Sequence, residues 1–221
     1  MDCRIVTVEQ GTDEWLDLRR GRITASHLGD VLANHKTKRY QNYMKQIVLE
    51  LLGEVNVEEA PEWARHGREN EPKALRGYEW KYGVDVEHDI FLIHKRYDFI
   101  SASPDGLHLP NYDEGLEVKC RALYKNYRAA RAEAELHKGT PRSVPSQYRP
   151  QIQGAMWLTG FKYWWYVNYY IGDDLDGGMT QKIHRIAVPR DEKLIGRMEE
   201  ACLEFMTEAY DRAGLTLKLG S

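Results

Sequence analysis

Three residues in one short stretch have the types and the spacing that hydrolytic chemistry requires. Asp105 lies in a Pro-Asp-Gly turn between two strand-like runs, and the second run carries Glu117 and Lys119 with Val118 between them. Side chains two residues apart leave the same face of a strand, so Glu117 and Lys119 are predicted to point together. The pattern therefore indicates two acids and an amine directed at one place.

A fourth candidate, Glu71, lies on a helix predicted over residues 63–82. At i, i+4, i+7 and i+11 spacing, this helix presents an inward stripe formed by Glu71, Leu75, Tyr78 and Tyr82. A carboxylate on such a stripe needs a partner, because burying an unpaired charge is costly. Two readings stay open: Glu71 bonds to nearby backbone or to an arginine such as Arg68, or it joins the other acids around a cation.

Three inward carboxylates would repel one another unless a cation joined them. An oxygen-only donor set suits Mg²⁺ or Mn²⁺, and the carbonyl of Val118 could complete the coordination. The presence of Lys119 favours a catalytic cation site over a structural one. In phosphodiester hydrolysis a metal lowers the pKa of a bound water, and a nearby lysine holds that water or stabilises charge. The stretch therefore predicts metal-assisted phosphodiester cleavage.

The elements that must position these residues are predicted from periodicity and turn signals. Helices are expected over 12–20, 23–33, 40–53, 63–82, 122–139, 147–160 and 191–214, and strands over 84–94, 98–103, 115–120, 162–171 and 181–188. The strands before the helix at 122–139 are predicted to form a mainly antiparallel meander. The order of elements predicts a mixed α/β fold, with a central sheet flanked by helices, in a single domain over residues 1–221.

Composition limits the class of protein. At 221 residues and 42% apolar content, the chain can bury a sizeable core. No N-terminal run has a secretory composition, and no apolar run approaches the roughly 20 residues of a membrane span. Cys3, Cys120 and Cys202 are far apart and form no CxxC pair, so neither a disulfide framework nor a zinc or iron-sulfur site is indicated. We expect a cytoplasmic protein with no membrane partner.

Charge is distributed unevenly along the chain. The overall net charge is −3, but between Lys119 and Arg149 eight Lys or Arg residues oppose only Glu133 and Glu135, which gives +6 locally and −9 over the rest. A basic surface beside an acidic centre suits a nucleic-acid enzyme. Taken alone, the segment is explained equally well by a solvated helix face followed by a loop.

The motif formed by Asp105 and the Glu117-Val118-Lys119 run is similar to the PD-(D/E)xK nuclease signature, and it keeps the proline before the aspartate. That short signature occurs by chance in many chains. A wider set of motifs is more specific, and it comprises EQGTDEWLDLRRGRITAS, HGRENEPKA, SASPDGL, GLEVKC and QYRPQIQGAMW. In this order they resemble the phage lambda-type exonucleases of the YqaJ viral recombinase family over roughly residues 8 to 170.

The resemblance implies roles at the catalytic centre. The metal-binding set would comprise Glu71, Asp105, Glu117 and the carbonyl of Val118. Lys119 matches the catalytic lysine. Gln151 matches the glutamine that organises the water and the phosphate, and Gln153 is the alternative within the QxQ pair.

Two residues nearer the N-terminus match a site for the end of the DNA. Arg19 and Ser26 correspond to residues that hold the 5′-phosphate of the strand being degraded. Without the resemblance, Arg19 would be a surface arginine and Ser26 a helix cap. A helix start also binds anions, so the two readings of Ser26 are compatible.

The resemblance further implies a complete activity. Members degrade linear double-stranded DNA from 5′-phosphorylated ends, release 5′-mononucleotides and leave 3′ single strands for recombination by annealing. The expected cofactor is Mg²⁺, with Mn²⁺ able to substitute and two ions in each active site. The expected partners are two further copies in a homotrimer and a phage single-strand annealing protein, in the cytoplasm of a bacterial host.

Two other classes remain as alternatives. One is a PD-(D/E)xK endonuclease of the restriction or junction-cutting type, against which a 5′-phosphate pocket at Arg19 and Ser26 argues. The other is a DNA-binding or assembly module without catalysis, against which Asp105, Glu117 and Lys119 argue. Cleavage of a closed circular duplex would distinguish the endonuclease from the exonuclease.

Overall fold

Helices and strands alternate irregularly along the chain. The computed structural model describes residues 1–54, 62–173 and 177–218, without the side chains of 62–65 and 68. The helices are α1 Asp13–Arg19, α2 Leu28–Val31, α3 Lys38–Leu51, α4 Glu62–Tyr82, α5 Tyr124–Leu136, α6 Arg149–Thr159 and α7 Glu192–Arg212. The strands are β1 Cys3–Thr7, β2 Ile23–Thr24, β3 Val86–Glu87, β4 Ile90–His94, β5 Ile100–Ala102, β6 Gly106–His108, β7 Gly115–Arg121, β8 Tyr163–Asp173 and β9 Met179–Pro189. None of the helices described is long and apolar enough to cross a membrane.

The strands form two mixed sheets. One has the order β1-β4-β5-β2 and the other has the order β3-β6-β7-β8-β9. The pairs β2–β5 and β7–β8 are parallel, and the remaining pairs are antiparallel. Strands β7 and β8 can run parallel because α5 and α6 carry the chain back between them, as a parallel connection requires.

The predicted mixed α/β class is confirmed, and several details of the prediction are wrong. The antiparallel meander is divided between two sheets, and its last strand, β7, also takes a parallel neighbour. The sequence prediction misses β1, β2 and β6, and it fuses β3 and β4 into one strand. The helix predicted over 23–33 is reduced to a 3₁₀ turn, Ala25–His27, and the four-residue α2.

Strand β7 lies between two packed layers, which determines where its side chains point. Leu116 and Val118 belong to an apolar cluster with Ala74, Leu75 and Tyr78 of α4. The alternate residues, Glu117 and Lys119, therefore face the opposite layer, where α6 lies. The predicted shared face of Glu117 and Lys119 is confirmed by their direct contact.

The start of β7 depends on a residue without a side chain. A Cβ added at Gly115 would lie 2.1 Å from the nearest ring atom of Trp164, and Trp164 is fully buried in β8. The ring fills the space over Gly115 and is held by the larger core, so it has little room to move. Gly115 thus allows β7 and β8 to pack closely at the start of β7, the strand that carries Glu117.

We expect Gly115→Ala to lower the free energy of unfolding by about 1–3 kcal/mol, the usual cost of overpacking a core. Urea denaturation followed by circular dichroism measures this. Gly196→Ala is the matched control, because a Cβ at this position in α7 meets nothing within 4 Å. The control should gain up to about 1 kcal/mol from helix propensity. A Gly115→Ala protein as stable as the wild type would contradict the packing argument.

Candidate active site

Asp105 and Glu117 lie side by side where β6 and β7 begin to pair. The register sets Gly106 opposite Leu116, so Asp105 precedes the ladder on one strand and Glu117 follows it on the other. The Asp105 carboxylate accepts a 2.6 Å hydrogen bond from the N–H of Val118. The N–H and C=O of one strand residue point to the same edge, so the Val118 carbonyl is also directed toward Asp105.

The carboxylate of Glu117 is the centre of the site. Glu117 is 2% exposed, and its Oε1 accepts hydrogen bonds from Lys119 Nζ at 2.5 Å and from Gln151 Nε2 at 2.5 Å. Gln151 lies in the first turn of α6. The strand supplies the acid and the lysine, and the helix supplies the amide, so three predicted residues meet at one oxygen.

Glu71 reaches the same cavity from α4. It is half-buried and lines the cavity together with Asp105 and Glu117. Burial raises the pKa of Glu71, the Glu117 carboxylate raises it further, and Lys119 opposes both effects. The alternative partner, Arg68, has a side chain outside the described residues. The placement of Glu71 agrees with the predicted acid cluster.

The site contains three acids but one ammonium. Burial raises the pKa of Asp105 well above its usual range, and the carboxylates of Glu117 and Glu71 raise it further. Burial lowers the pKa of Lys119, but the carboxylates of Glu117 and Asp105 outweigh burial and raise that pKa overall. Lys119 is therefore a stable ammonium that balances one of three acids. A divalent cation would neutralise the remainder.

The donor atoms fit Mg²⁺ or Mn²⁺ in type. Within the described ranges, no three His, Cys, Asp or Glu side chains converge closely enough to hold an ion by themselves. Asp105 and Glu117 would therefore act with the Val118 carbonyl and with water, which suits Mg²⁺ because it retains several waters. Burial raises the pKa of Cys120 to about 12, so its thiol stays protonated and offers no soft thiolate ligand.

Arg19 and Ser26 line the same cavity on the side of β2 and β5. Arg19 Nη2 donates to the Thr24 hydroxyl at 3.5 Å, and the hydroxyl oxygens of Thr24 and Ser26 lie 3.0 Å apart. The Arg19 guanidinium lies 4.3 Å from the centroid of the Trp15 ring. Ser26 is inside the 3₁₀ turn, so the helix-cap reading of Ser26 is wrong. No described carboxylate pairs with Arg19, which leaves its charge available to an anion.

All the predicted side chains share one cavity of about 380 Å³, which is lined by Arg19, Ser26, Glu71, Asp105, Glu117, Lys119 and Gln151. Two residues that the sequence prediction misses, Arg121 and Tyr148, line it as well. Lys119 Nζ lies 5.0 Å and Arg121 Cζ 5.7 Å from the centroid of the Tyr148 ring. Two features of the sequence could have identified these residues. Arg121 lies four residues after Glu117 on the same strand, and therefore on the same face, and Tyr148 comes directly before α6.

Gln153 does not reach this cavity. It is fully buried, its Nε2 donates to the carbonyl of Pro189 at 2.9 Å, and its Oε1 accepts from the N–H of Asp191 at 2.8 Å. Gln153 therefore joins α6 to the junction between β9 and α7. Of the two glutamines in the QxQ pair, the structure places Gln151 in the site.

Comparisons with known proteins give a family match and similar solved structures. The family model described as YqaJ-like viral recombinase domain matches residues 14–162. An alkaline exonuclease, LHK-Exo, from Laribacter hongkongensis is 27% identical, with a TM-score of 0.72, over 92% of this chain and 95% of that chain. The structure of LHK-Exo in complex with dAMP is 28% identical, with a TM-score of 0.70, over the same shares of the two chains. A search of curated protein sequences gives no match.

A more distant structure shares the fold. A phage-related exonuclease from Haemophilus somnus 129PT is 17% identical, with a TM-score of 0.62, over 86% of this chain and 94% of that chain. At this identity the likeness concerns the arrangement of helices and strands. It shows that the overall fold occurs in a second protein.

We expect the two glutamines of the QxQ pair to respond differently to substitution. Gln153→Ala should lower the free energy of unfolding by about 1–3 kcal/mol, because it leaves buried backbone groups unpaired. Gln151→Ala leaves the Lys119 ammonium on the Glu117 carboxylate, so it should lower the free energy of unfolding by less than Gln153→Ala does, and it should reduce any hydrolysis at the site by about 10²-fold. Chemical denaturation and single-turnover cleavage measure the two effects. If Gln153→Ala loses cleavage while its stability is unchanged, the assignment of the pair is reversed.

Proposed function

The chain belongs to the YqaJ-like viral recombinase domain family, and we propose that it is a Mg²⁺-dependent 5′-to-3′ exonuclease on linear double-stranded DNA. One observation carries this proposal: the acid, lysine and glutamine cluster shares a cavity with Arg19 and Ser26. The similarity to an alkaline exonuclease supports the reaction class. The dAMP complex of that protein supports a mononucleotide product.

Each residue around Glu117 would have a separate role in hydrolysis. Asp105, Glu117 and the Val118 carbonyl would hold Mg²⁺, with Mn²⁺ able to substitute, and Glu71 would take part in a second ion site. When bound, the metal supplies an activated water and neutralises phosphate charge. Lys119 supplies a fixed ammonium where negative charge grows in the transition state. Gln151 orients Glu117 through its amide and can donate to the water or the phosphate.

Arg19 and Ser26 determine where on the DNA the enzyme cuts. An arginine binds phosphate through two parallel hydrogen bonds, and a serine hydroxyl adds a third donor. The Trp15 ring and the Thr24 hydroxyl hold the Arg19 guanidinium in place. A terminal 5′-phosphate fixed there sets the first phosphodiester bond over the acid cluster. The preference for a strand end would follow from the presence of the phosphate-binding pair and the acid cluster in one cavity.

The assembly and the partners complete the proposal. A net charge of −3 gives little general attraction for DNA, so enclosure of the duplex by a homotrimer would keep the enzyme on its substrate. The 5′-mononucleotides would leave the cavity, and the 3′ single strands would pass to a phage single-strand annealing protein. These reactions would take place in the cytoplasm of a bacterial host.

We expect linear duplexes with 5′-phosphate ends and Mg²⁺ to be degraded to mononucleotides faster than the same duplexes with 5′-hydroxyl ends. Arg19→Ala should remove most of this preference, because it removes a charged phosphate ligand, and should affect hydroxyl ends much less. Thin-layer chromatography of end-labelled DNA measures both rates. A closed circular duplex is the control, and its efficient cleavage would favour an endonuclease over the proposed exonuclease.

We expect Lys119→Ala and Glu117→Gln to fail at different steps. Lys119→Ala should keep Mg²⁺ and DNA binding but lose at least about 10²-fold in single-turnover cleavage, since it lacks only the fixed ammonium. Glu117→Gln should lose metal affinity as well as cleavage, because a neutral amide replaces a charged ligand. Calorimetric titration with Mg²⁺ separates the two. Near-normal single-turnover cleavage by Lys119→Ala would show that this lysine is not catalytic.

A further inference from the structure

Arg121 is an arginine of the active-site cavity to which the catalytic scheme gives no role. It is the last residue of β7, and it follows Glu117 and Lys119 at two-residue steps on the same face of the strand. It is half-buried and lines the cavity that holds the acid cluster. The strand thus presents an acid, an ammonium and a guanidinium in a row.

The guanidinium of Arg121 is held by neutral groups. Its Nε and Nη2 donate to the Asn168 side-chain oxygen at 3.2 Å and 3.0 Å, and Nη2 also donates to the Tyr166 hydroxyl. Asn168 and Tyr166 are both fully buried in β8, so they are fixed acceptors. Among the described residues, no carboxylate pairs with Arg121 and none accepts a hydrogen bond from its Nη1. The side chain is therefore oriented but keeps its full charge for an anion.

Arg19 and Arg121 approach Glu117 from opposite sides. Arg19 contacts Thr24 of β2, and β2 pairs with β5. The ring of Trp15, which lies beside the Arg19 guanidinium, donates a hydrogen bond to Ser103 near the Asp105 turn. Arg121 is fixed to β8, on the other edge of β7. A DNA strand held at its 5′ end by Arg19 and crossing the acid cluster would continue toward Arg121.

We propose that Arg121 binds the phosphate that follows the scissile one on the strand being degraded, a proposal that rests on the proposed exonuclease function. Lys119 and Arg121 are two strand residues apart, which is about 7 Å and comparable to the separation of successive phosphates in a DNA strand. A guanidinium with an outward edge suits a phosphodiester, which offers two oxygens to parallel N–H donors. Arg121 therefore sets the register of the strand.

Charge removal at single phosphates tests this assignment. The substrates are blunt duplexes with a labelled 5′-phosphate and one neutral methylphosphonate, placed at the second or at the fifth internucleotide linkage, and release of the first nucleotide is measured under single-turnover conditions. The wild type should lose about 10-fold or more with the second linkage neutralised, the size of a charged hydrogen bond. Neutralising the fifth linkage should have a much smaller effect.

The Arg121→Gln variant tests whether the charge of Arg121 acts on this linkage, because the glutamine amide can still bond to Asn168 while the charge is gone. It should cleave unmodified DNA about as slowly as the wild type cleaves the second-linkage substrate, with no further loss on that substrate. Arg212→Gln, an exposed arginine at the end of α7, is the matched control and should behave as the wild type. Circular dichroism checks the folding of both variants.

The outcomes separate this inference from the proposed function. If the wild type degrades unmodified duplex and is unaffected by a neutral second linkage, the role of Arg121 is refuted and the exonuclease stands, whatever the folding of the variants. An additional large loss when Arg121→Gln meets the second-linkage substrate also refutes it. If the wild type does not degrade the unmodified duplex, both the function and the inference fail.

Discussion

The burial of one charged oxygen, on Glu117, governs the arrangement of the site. A carboxylate that is 2% exposed is stable only if its charge is balanced and its lone pairs are used, and here Lys119 and Gln151 do both. The amide must come from α6, so that helix has to approach closely. Gly154 lets α6 pack closely on α2 behind the site, since a Cβ there would lie 2.1 Å from a methyl carbon of the buried Leu28.

The same burial makes the site receptive to a cation. Asp105 and Glu71 have pKa values raised first by burial and then by the Glu117 carboxylate, so both acids are more costly to ionise beside Glu117. Lys119 relieves this repulsion only in part. A divalent ion bound in the site would favour ionisation of Asp105 and Glu71, and its binding free energy would offset the cost of placing these acids beside Glu117 in a buried place.

Much of the site could be predicted because Asp105, Glu117 and Lys119 are close in sequence. The two-residue spacing of Glu117 and Lys119 fixes their shared face, and the turn at Asp105 needs only a short hairpin to return beside Glu117. The family resemblance favoured Gln151 over Gln153, but residue pattern alone did not separate them, since both lie on α6 and tertiary contacts to Pro189 and Asp191 distinguish them. The short strands β1, β2 and β6 escaped prediction because pairing, rather than periodicity, defines them.

The parallel pairing of β7 with β8, which the predicted meander lacks, has the largest consequence for function. An antiparallel neighbour would follow a tight turn, whereas the parallel one requires a long connection, and that connection contains both the basic helix α5 and the helix α6. The pairing aligns Lys119 with Asn168, so the fixed acceptor for Arg121 comes from the adjacent strand. One topological choice thus brings Gln151 over Glu117 and orients a guanidinium beside it.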